Sequence, residues 1–245
     1  MSREQFTNHL GQPIGKPVPA WQPPMTPERR VIEGAWCRLE PLDAGAHAAS
    51  LHAAYSADPE GRNWTYLPYG PFPTFDAFST WLDSIVEGDD PQFYAVLPAD
   101  QEAAAGLLSF LRITPPQGTI EVGHIHFAES MKRTPAATEA IFLTMKTAFA
   151  LGYRRFEWKC DALNATSCAA ARRLGFSFDG LFRQALVYKD RNRDTAWFSV
   201  LDHEWPALRT AFEQWLSPAN FDTEGRQRES LRELTAPLLR EPATH

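Results

Sequence analysis

Apolar and polar residues alternate along the segment TIEVGHIHF, which begins at Thr119, and the alternation shifts in its middle. Ile120 and Val122 are two residues apart, but the next apolar residues, Ile125 and Phe127, have the opposite parity. Because neighbouring residues of a strand face opposite sides of a sheet, this shift beside a glycine predicts a strand with a β-bulge.

A helix is predicted after this strand and its connecting loop AESMKRT. Thr134 is a suitable N-cap and Pro135 a suitable first residue, because the missing N–H of proline costs nothing there. Apolar residues then recur at helical spacing for about four turns until Gly152, which is a suitable stop. These apolar residues are Ala137, Ile141, Met145 and Ala148.

The start of this helix has the features of an anion-binding site. Its first turn has no carboxylate before Glu139, and a Lys-Arg pair precedes the cap. The N–H groups of Ala136, Ala137 and Thr138 are therefore expected to be free, and the positive end of the helix would suit a phosphate. An ordinary buried helix with a Thr-Pro start has the same pattern, so both interpretations stay open.

Similar patterns cover most of the chain beyond residue 30. They predict, in order, a strand over Val31–Leu42, helices over Asp43–Tyr55 and Phe75–Val86, strands over Gln92–Leu97 and Ala105–Thr114, a strand over Tyr153–Cys160, a helix over Asn164–Arg173, a hairpin of strands over Phe182–Lys189 and Thr195–Leu201, and terminal helices over Trp205–Leu216 and Glu224–Leu239. Strands joined by short turns are antiparallel, whereas a helical crossover makes two strands parallel. The sequence thus predicts an α/β (α+β) fold with a mixed, mostly antiparallel sheet and helices on both faces.

The chain divides into three parts by pattern. Residues 1–30 are rich in proline and lack apolar periodicity, so we expect an extended arm. Residues 31–205 should form the main domain, and residues 206–245 a C-terminal helical extension. Within the main domain, the aromatic loop GRNWTYLPYGPFP at residues 61–73 would either line a substrate pocket or cover the core.

Composition narrows the class of protein. The chain has 245 residues, of which 44% are hydrophobic, so it can bury a sizeable core without a disulfide or a metal. A formal net charge of −6 without a long basic run argues against a nucleic-acid or membrane surface. The three cysteines lack metal-ligand spacing and fit reduced thiols. With no apolar run of signal-peptide or membrane-spanning length, we expect a cytoplasmic protein.

Two motifs on this order of elements carry a resemblance. KRTPAATEA at the start of the central helix, LNATSCAAARRLGF on the later helix and the closing strand pair resemble the GNAT N-acetyltransferase family, within it the branch similar to Rim-type enzymes that acetylate ribosomal-protein N-termini. The resemblance covers about residues 31–205. The family motif Gln/Arg-x-x-Gly-x-Gly/Ala falls on Lys132, Pro135 and Ala137, and two of these three positions depart from it.

The resemblance implies that the protein binds acetyl-CoA. In the family, the helix start holds the pyrophosphate of coenzyme A, and the pantetheine arm enters a gap between a bulged strand and its parallel neighbour. Here these strands would be Glu121–Phe127 and Phe156–Cys160. The residues that would bind the cofactor are Ile125, Phe127, Lys132, Arg133, Thr134, Ala136, Ala137, Thr138 and Asn164.

The general acid expected from the resemblance is not the usual one. The second motif begins with Asn164, and many family members have a tyrosine seven residues later, where this chain has Ala171. Rim-type members often have a serine three residues after the Asn, which matches Ser167. This hydroxyl is the expected proton donor, unless Ser167 only caps the helix. Tyr188 is the next candidate.

An attacking amine must lose a proton, so a carboxylate or histidine is expected within reach, directly or through water. Glu121, His124 and His126 lie on the bulged strand, and Glu121 is the first choice because the family often has a base there. Either histidine could instead be an ordinary polar side chain on a half-exposed strand. A backbone N–H near Ile125 to Phe127 would stabilise the oxyanion.

These features predict an acyl-CoA-dependent N-acyltransferase that moves acetyl to a primary amine by direct attack in a ternary complex. The acceptor would be a protein N-terminus or a small molecule, and a larger acyl group such as succinyl stays open. We expect a monomer or homodimer without direct nucleic-acid or membrane binding and without a metal. The alternative is a non-catalytic acyl-CoA-binding or interaction module that has lost its general acid, which Ala171 would explain.

Overall fold

The computed structural model of the protein describes residues 6–240. The first five residues of the predicted arm (1–5) and the last five of the predicted C-terminal extension (241–245) lie outside the described residues. The strands are β1 (Phe6–Thr7), β2 (Pro13–Ile14), β3 (Ile32–Glu33), β4 (Cys37–Pro41), β5 (Gln92–Pro98), β6 (Gly106–Thr114), β7 (Thr119–Phe127), β8 (Arg155–Asp161), β9 (Ser177–Tyr188) and β10 (Arg191–Leu201). The α-helices are α1 (Ala44–Tyr55), α2 (Phe75–Asp83), α3 (Pro135–Ala150), α4 (Ala165–Arg173), α5 (Trp205–Leu216) and α6 (Leu231–Thr235).

Eight strands form the main sheet in the order β3-β4-β5-β6-β7-β8-β10-β9. All neighbours are antiparallel except β7 and β8, which are joined through α3 and are parallel. This topology confirms the predicted mixed, mostly antiparallel fold. A separate two-stranded hairpin of β1 and β2 lies in the predicted arm. Within residues 6–240, every helix is too short or too polar to cross a bilayer.

The two faces of the sheet carry different helices. Val122 pairs with Trp158, whose indole N–H donates to Ser167 of α4, so this pair points to the α4 face. His126 packs on Tyr55 of α1, with ring centroids 3.9 Å apart, so it points to the α1 face. Since side chains alternate along a strand, each residue of β7 can be assigned to one of these faces.

The single strand predicted over Val31–Leu42 is wrong, because a turn at Gly34 divides it into β3 and β4. The turn wraps around the carboxylate of Glu139 in α3. This carboxylate accepts hydrogen bonds from the backbone N–H groups of Ala35 (2.9 Å), Trp36 (2.6 Å) and Cys37 (2.8 Å). Three donors converging on one buried carboxylate need a tight turn, which a straight strand cannot provide.

The long helix predicted over Glu224–Leu239 is also wrong. Only Leu231–Thr235 is α-helical, followed by a 3₁₀ turn over Ala236–Leu238. The side chain of Asp222 accepts the N–H groups of two following residues at 2.9 Å, which holds that segment in a turn. The helix starts only where Ser230 forms a capping box with its third residue.

Candidate active site

The predicted bulge lies in the middle of β7. Ser109 of β6 pairs with Gly123, and two residues further back Leu107 pairs with His126, so β7 has one extra residue there. His124 has a left-handed φ of 52°, as an extra residue in a bulge can require. Because of this shift, residues 121 and 126 point to the same face of the sheet although their parity differs.

β7 and β8 separate beside this bulge. Their parallel pairing runs from Thr119 opposite Arg155 to Val122 opposite Trp158 and ends there, although both strands continue. On its other side β7 stays paired with β6, and β8 with β10. The result is a gap within the sheet, lined by backbone groups of β7 after the bulge and of the end of β8.

The chain continues from β7, which lines the gap, through residues 128–134 to the start of α3. Thr134 is the N-cap and Pro135 the first residue, and the first turn has no acidic residue, as predicted. The expectation of three free donors is met only in part: the N–H of Ala137 donates to Thr134 Oγ1 at 3.3 Å, and the N–H of Thr138 to the Thr134 carbonyl at 3.4 Å. Both contacts are long and therefore weak, so these N–H groups can still donate to an anion at the helix start.

The two basic residues before the cap differ in their surroundings. The Lys132 ammonium contacts the side chains of Asn63 and Glu129, so a carboxylate already compensates part of its charge. Arg133 is exposed and has a left-handed φ of 62°. Arg133 is therefore the more available of the two cations at the helix start.

Glu121 lies on the α1 face, one residue before the last paired residue Val122, and its side chain is 3% exposed. Its carboxylate accepts from Arg112 at 2.8 and 2.9 Å and from Lys159 at 2.9 Å. Lys159 also contacts Glu157 at 2.7 Å. Burial raises the pKa of Glu121, and the two cations only partly oppose this. The carboxylate is thus more basic than an exposed one.

The histidines of β7 are held in an apolar setting on the same face. Tyr69 Oη lies 2.8 Å from His124 Nδ1, and burial lowers the pKa of His124 to about 4. His126 lies between the rings of Tyr55 and Trp64, and burial lowers its pKa to about 3. Both rings are therefore neutral at neutral pH and are weaker bases than an exposed histidine.

The α4 face carries the candidate acid. Asn164 is the cap of α4, since its Oδ1 accepts the N–H of Ser167 at 3.0 Å; the interpretation of Ser167 as the cap is therefore wrong. Trp158 Nε1 donates to Ser167 Oγ at 3.0 Å. The serine oxygen thus accepts one hydrogen bond, and its own proton is donated to the thiol of Cys160, a weak acceptor that a stronger one can replace. Tyr188, the second candidate, donates to Asp161 at 2.8 Å, and burial together with that carboxylate raises its pKa to about 12.

The aromatic loop over residues 61–73 mostly covers the core. Trp64 is buried, and the Phe72 ring stacks on Trp81 of α2 with ring centroids 4.8 Å apart. The loop also borders the site, because Tyr66 Oη donates at 3.2 Å to the carbonyl of Leu163, the residue before the α4 cap.

The ion pairs of Glu121 were missed by the sequence analysis. Lys159 lies on the strand predicted over Tyr153–Cys160, and no role was predicted for it. A signal was present: in a parallel pair, Glu121 lies opposite Glu157, and two adjacent carboxylates need a cation between them. Arg112 had no such signal, because it sits with a left-handed φ of 45° at a register shift of β6.

Comparisons with known proteins concern the domain that contains this site. The family model described as "Acetyltransferase (GNAT) domain" matches residues 37–177. The chain is similar to a GCN5-related N-acetyltransferase from Brucella melitensis, with 47% identity, coverage of 89% of this chain and 100% of the other, and a TM-score of 0.87. It is also similar to a probable GNAT-family acetyltransferase from Chromobacterium violaceum ATCC 12472, with 46% identity, coverage of 80% and 98%, and a TM-score of 0.75.

A more distant likeness concerns the fold alone. An acetyltransferase from Salmonella typhimurium, described as modifying the N-terminal serine of the 50S ribosomal subunit protein L7/L12, is 21% identical, with coverage of 70% of this chain and 99% of the other and a TM-score of 0.60. No protein with a curated description matches the sequence.

Proposed function

Since the chain belongs to the GNAT acetyltransferase family, we propose that it moves an acetyl group from acetyl-CoA to a primary amine in a ternary complex. The observation that carries this proposal is the gap between β7 and β8, together with the helix start without an acidic residue that follows β7 in the chain. Membership of this family supports an enzyme over the alternative of a non-catalytic acyl-CoA-binding or interaction module.

The residues around the gap fit coenzyme A. Beyond the bulge, the backbone of Ile125 and Phe127 borders the gap and can pair with the amides of a pantetheine arm. The helix start from Thr134 to Thr138, with Arg133 beside it, suits the pyrophosphate. The side-chain oxygen of Asn164 caps α4, which leaves its amide NH₂ as a donor toward the cofactor.

The proposed base and the proposed acid lie on opposite faces of the sheet. The amine nitrogen would attack the thioester carbonyl carbon, so a C–N bond forms, the C–S bond breaks, and the oxyanion of the intervening step faces the backbone N–H groups near the bulge. Glu121, on the α1 face, takes the proton of the amine through water, with His124 as the alternative. Ser167, on the α4 face, gives a proton to the departing thiolate and takes one back from water, while Glu121 returns the proton of the amine to solvent. Acid and base thus act from opposite sides of the gap.

The acceptor is proposed at the level of its chemistry, a primary amine on a protein N-terminus or a small molecule. The Rim-type likeness extends only to the fold, so it does not select between these two. The transferred group could instead be a larger acyl group such as succinyl. Competition between acyl-CoA donors would reveal this. The free cysteines Cys37, Cys160 and Cys168 support a cytoplasmic location. The proposed oligomeric state is a monomer or homodimer.

The test is binding and turnover with the purified protein. We expect isothermal titration calorimetry to show acetyl-CoA binding. We also expect a thiol assay to show release of coenzyme A with at least one amine among N-terminal peptides, polyamines, amino acids and aminoglycosides. Succinyl-CoA serves as the second donor. A protein that binds no acyl-CoA and releases no thiol with any acceptor would overturn the proposal.

The placement of the pyrophosphate has a separate test. Arg133→Glu puts a carboxylate at the helix start and should weaken acetyl-CoA binding by more than the ~1 kcal/mol typical of a surface helix-dipole interaction. Lys146→Glu is the matched control, because it makes the same charge change at an exposed position near the other end of α3. Equal affinities of the two variants would contradict this placement.

A further inference from the structure

Arg173, the last residue of α4, reaches across to the start of α3. Its Nη2 donates to the hydroxyl of Thr138 at 3.1 Å. Thr138 is 2% exposed and belongs to the first turn of α3. The Arg173 carbonyl accepts from Thr235 of α6 at 2.9 Å, which fixes the backbone from which the side chain extends. The guanidinium is thus held beside the proposed pyrophosphate site.

Arg173 has no carboxylate partner within 4.0 Å among residues 6–240. Other half-buried arginines have one: Arg38 meets a carboxylate at 2.7 Å, Arg154 at 3.5 Å and Arg155 at 2.6 Å. Arg193 is the other exception, and it lies 6.0 Å over the ring of Tyr188. For Arg173 the side-chain contact is a neutral hydroxyl, which uses one of the five N–H donors of the guanidinium.

This arrangement is electrostatically unfavourable as it stands. Burial lowers the pKa of Arg173, because no nearby anion compensates the lost hydration. The N-terminus of α3, beside it, carries the positive end of the helix dipole, and its first turn has no acidic residue. Two positive groups therefore face the same region, and an anion between them would compensate both.

We infer that Arg173 is a binding residue for the pyrophosphate of coenzyme A, to which its guanidinium donates together with the first N–H groups of α3. The inference rests on the proposed function. It assigns to the end of the second motif a role in holding the cofactor that neither motif suggested from sequence. Arg173 touches no reacting atom, so its effect should appear in affinity for the cofactor and not in the chemical step.

The experiment compares three ligands on two variants. Acetyl-CoA carries the pyrophosphate and the 3′-phosphate, acetyl-dephospho-CoA only the pyrophosphate, and S-acetylpantetheine no phosphate. Arg173→Met should weaken the first two about tenfold to a hundredfold, as loss of a charged hydrogen bond does, and leave S-acetylpantetheine unchanged. Arg172→Met is the matched control: Arg172 is the exposed neighbour on the same helix, 5.2 Å from the Phe198 ring, and should leave all three affinities unchanged.

The outcomes separate this inference from the proposed function. If wild-type protein binds none of the three ligands, the proposed function fails. If wild type binds and Arg173→Met keeps its affinities, loses all three equally, or loses affinity for acetyl-CoA alone, the pyrophosphate assignment is overturned. Arg173→Lys guards against a folding defect, because it keeps the charge without the fork and should lose affinity for the two pyrophosphate ligands by less than Arg173→Met.

Discussion

The proposed base Glu121, a buried carboxylate, should set the pH dependence of catalysis. A general base acts when deprotonated, so the rate should rise as the pH passes upward through the pKa of Glu121. Because burial raises this pKa, the acidic limb should lie above the ordinary range of glutamate. Glu121→Gln should remove the acidic limb and lower the turnover rate by roughly two to four orders of magnitude, with acetyl-CoA affinity nearly unchanged. Steady-state rates from pH 5 to pH 9 check this.

Glu157→Gln is the control for this variant. Glu157 also contacts Lys159, but although burial opposes the shift, Lys159 and Arg155 lower its pKa, so it is a weaker base than Glu121. If both Gln variants lose activity equally, the loss comes from the ion-pair network and Glu121 is not the base. In that event His124→Ala becomes the decisive variant.

Ser167 gives a second prediction at the same scale. Ser167→Ala should lower turnover while leaving acetyl-CoA affinity nearly intact, as loss of an interaction made only in the transition state requires. It also leaves the indole N–H of Trp158 without its acceptor, which should cost about 1–3 kcal/mol of the free energy of unfolding. Trp158→Phe is the control, because it removes that N–H but keeps the Ser167 hydroxyl. It should lose stability without losing the proposed proton donor. Full turnover in Ser167→Ala would move the role to Tyr188.

The roles of residues were predicted correctly where they depend on neighbours in the sequence. The Thr134 cap, the Pro135 start and the acid-free first turn depend on adjacent positions, and all three occur. The partners of Glu121 depend on strand register and on a second irregularity in β6, so sequence could not supply Arg112. For the same reason Thr138, which sequence treats as part of an open helix start, is in fact buried under Arg173.

At the scale of elements, the turn between β3 and β4 is specified from a distance of about a hundred residues. A Cβ at Gly34 would clash with the Glu139 carboxylate and lie 2.8 Å from the carbonyl oxygen of Cys37. Gly34→Ala should therefore displace the carboxylate from its three N–H donors and destabilise the fold by about 2–4 kcal/mol.

Urea unfolding monitored by circular dichroism measures this change. Gly180→Ala is the matched control, since a Cβ there meets nothing within 4 Å. A Gly34→Ala protein as stable as the Gly180→Ala protein would show that the turn adapts easily. The apolar alternation of Val31–Leu42 could not reveal this turn, because its cause is a side chain of another element.

For the whole molecule, the two buried histidines predict acid sensitivity. His124 and His126 titrate in the folded state at about 4 and about 3, below their ordinary value of about 6.5. Between pH 6.5 and the folded-state pKa values, the unfolded chain binds more protons than the folded protein. The free energy of unfolding is therefore highest above pH 6.5 and falls as the pH drops toward the folded-state pKa values. Each histidine should cost about 2 kcal/mol by pH 5.

Urea midpoints at pH 7.5 and pH 5.0 test this expectation. His126→Gln should show a smaller loss of stability between the two pH values than wild type, whereas His9→Gln, at an exposed position of the arm, should show the same loss as wild type. Equal pH dependence in all three proteins would mean that His126 does not titrate differently on unfolding.

The order and direction of the main-sheet strands were largely predictable as a whole. Meander, crossover and closing hairpin follow from turn lengths and from the placement of α3 and α4, and these are encoded in periodicity. The C-terminal region was less predictable: α5 agrees with the prediction, but the helix expected from residue 224 is interrupted by the turn at Asp222. Side-chain capping of a turn outweighs helical periodicity over so short a segment.

The separation of β7 from β8 means that this sheet has edges in its interior as well as at its ends. Backbone donors and acceptors along an interior edge are open to any extended peptide that can enter, which is the route by which edge strands recruit other chains into aggregates. Here the opening starts only after Val122 and Trp158, beside a bulge that twists the strand, so the exposed run is short and irregular. The seam is therefore long enough for a short amide-bearing arm and too short and uneven to accept a full foreign strand.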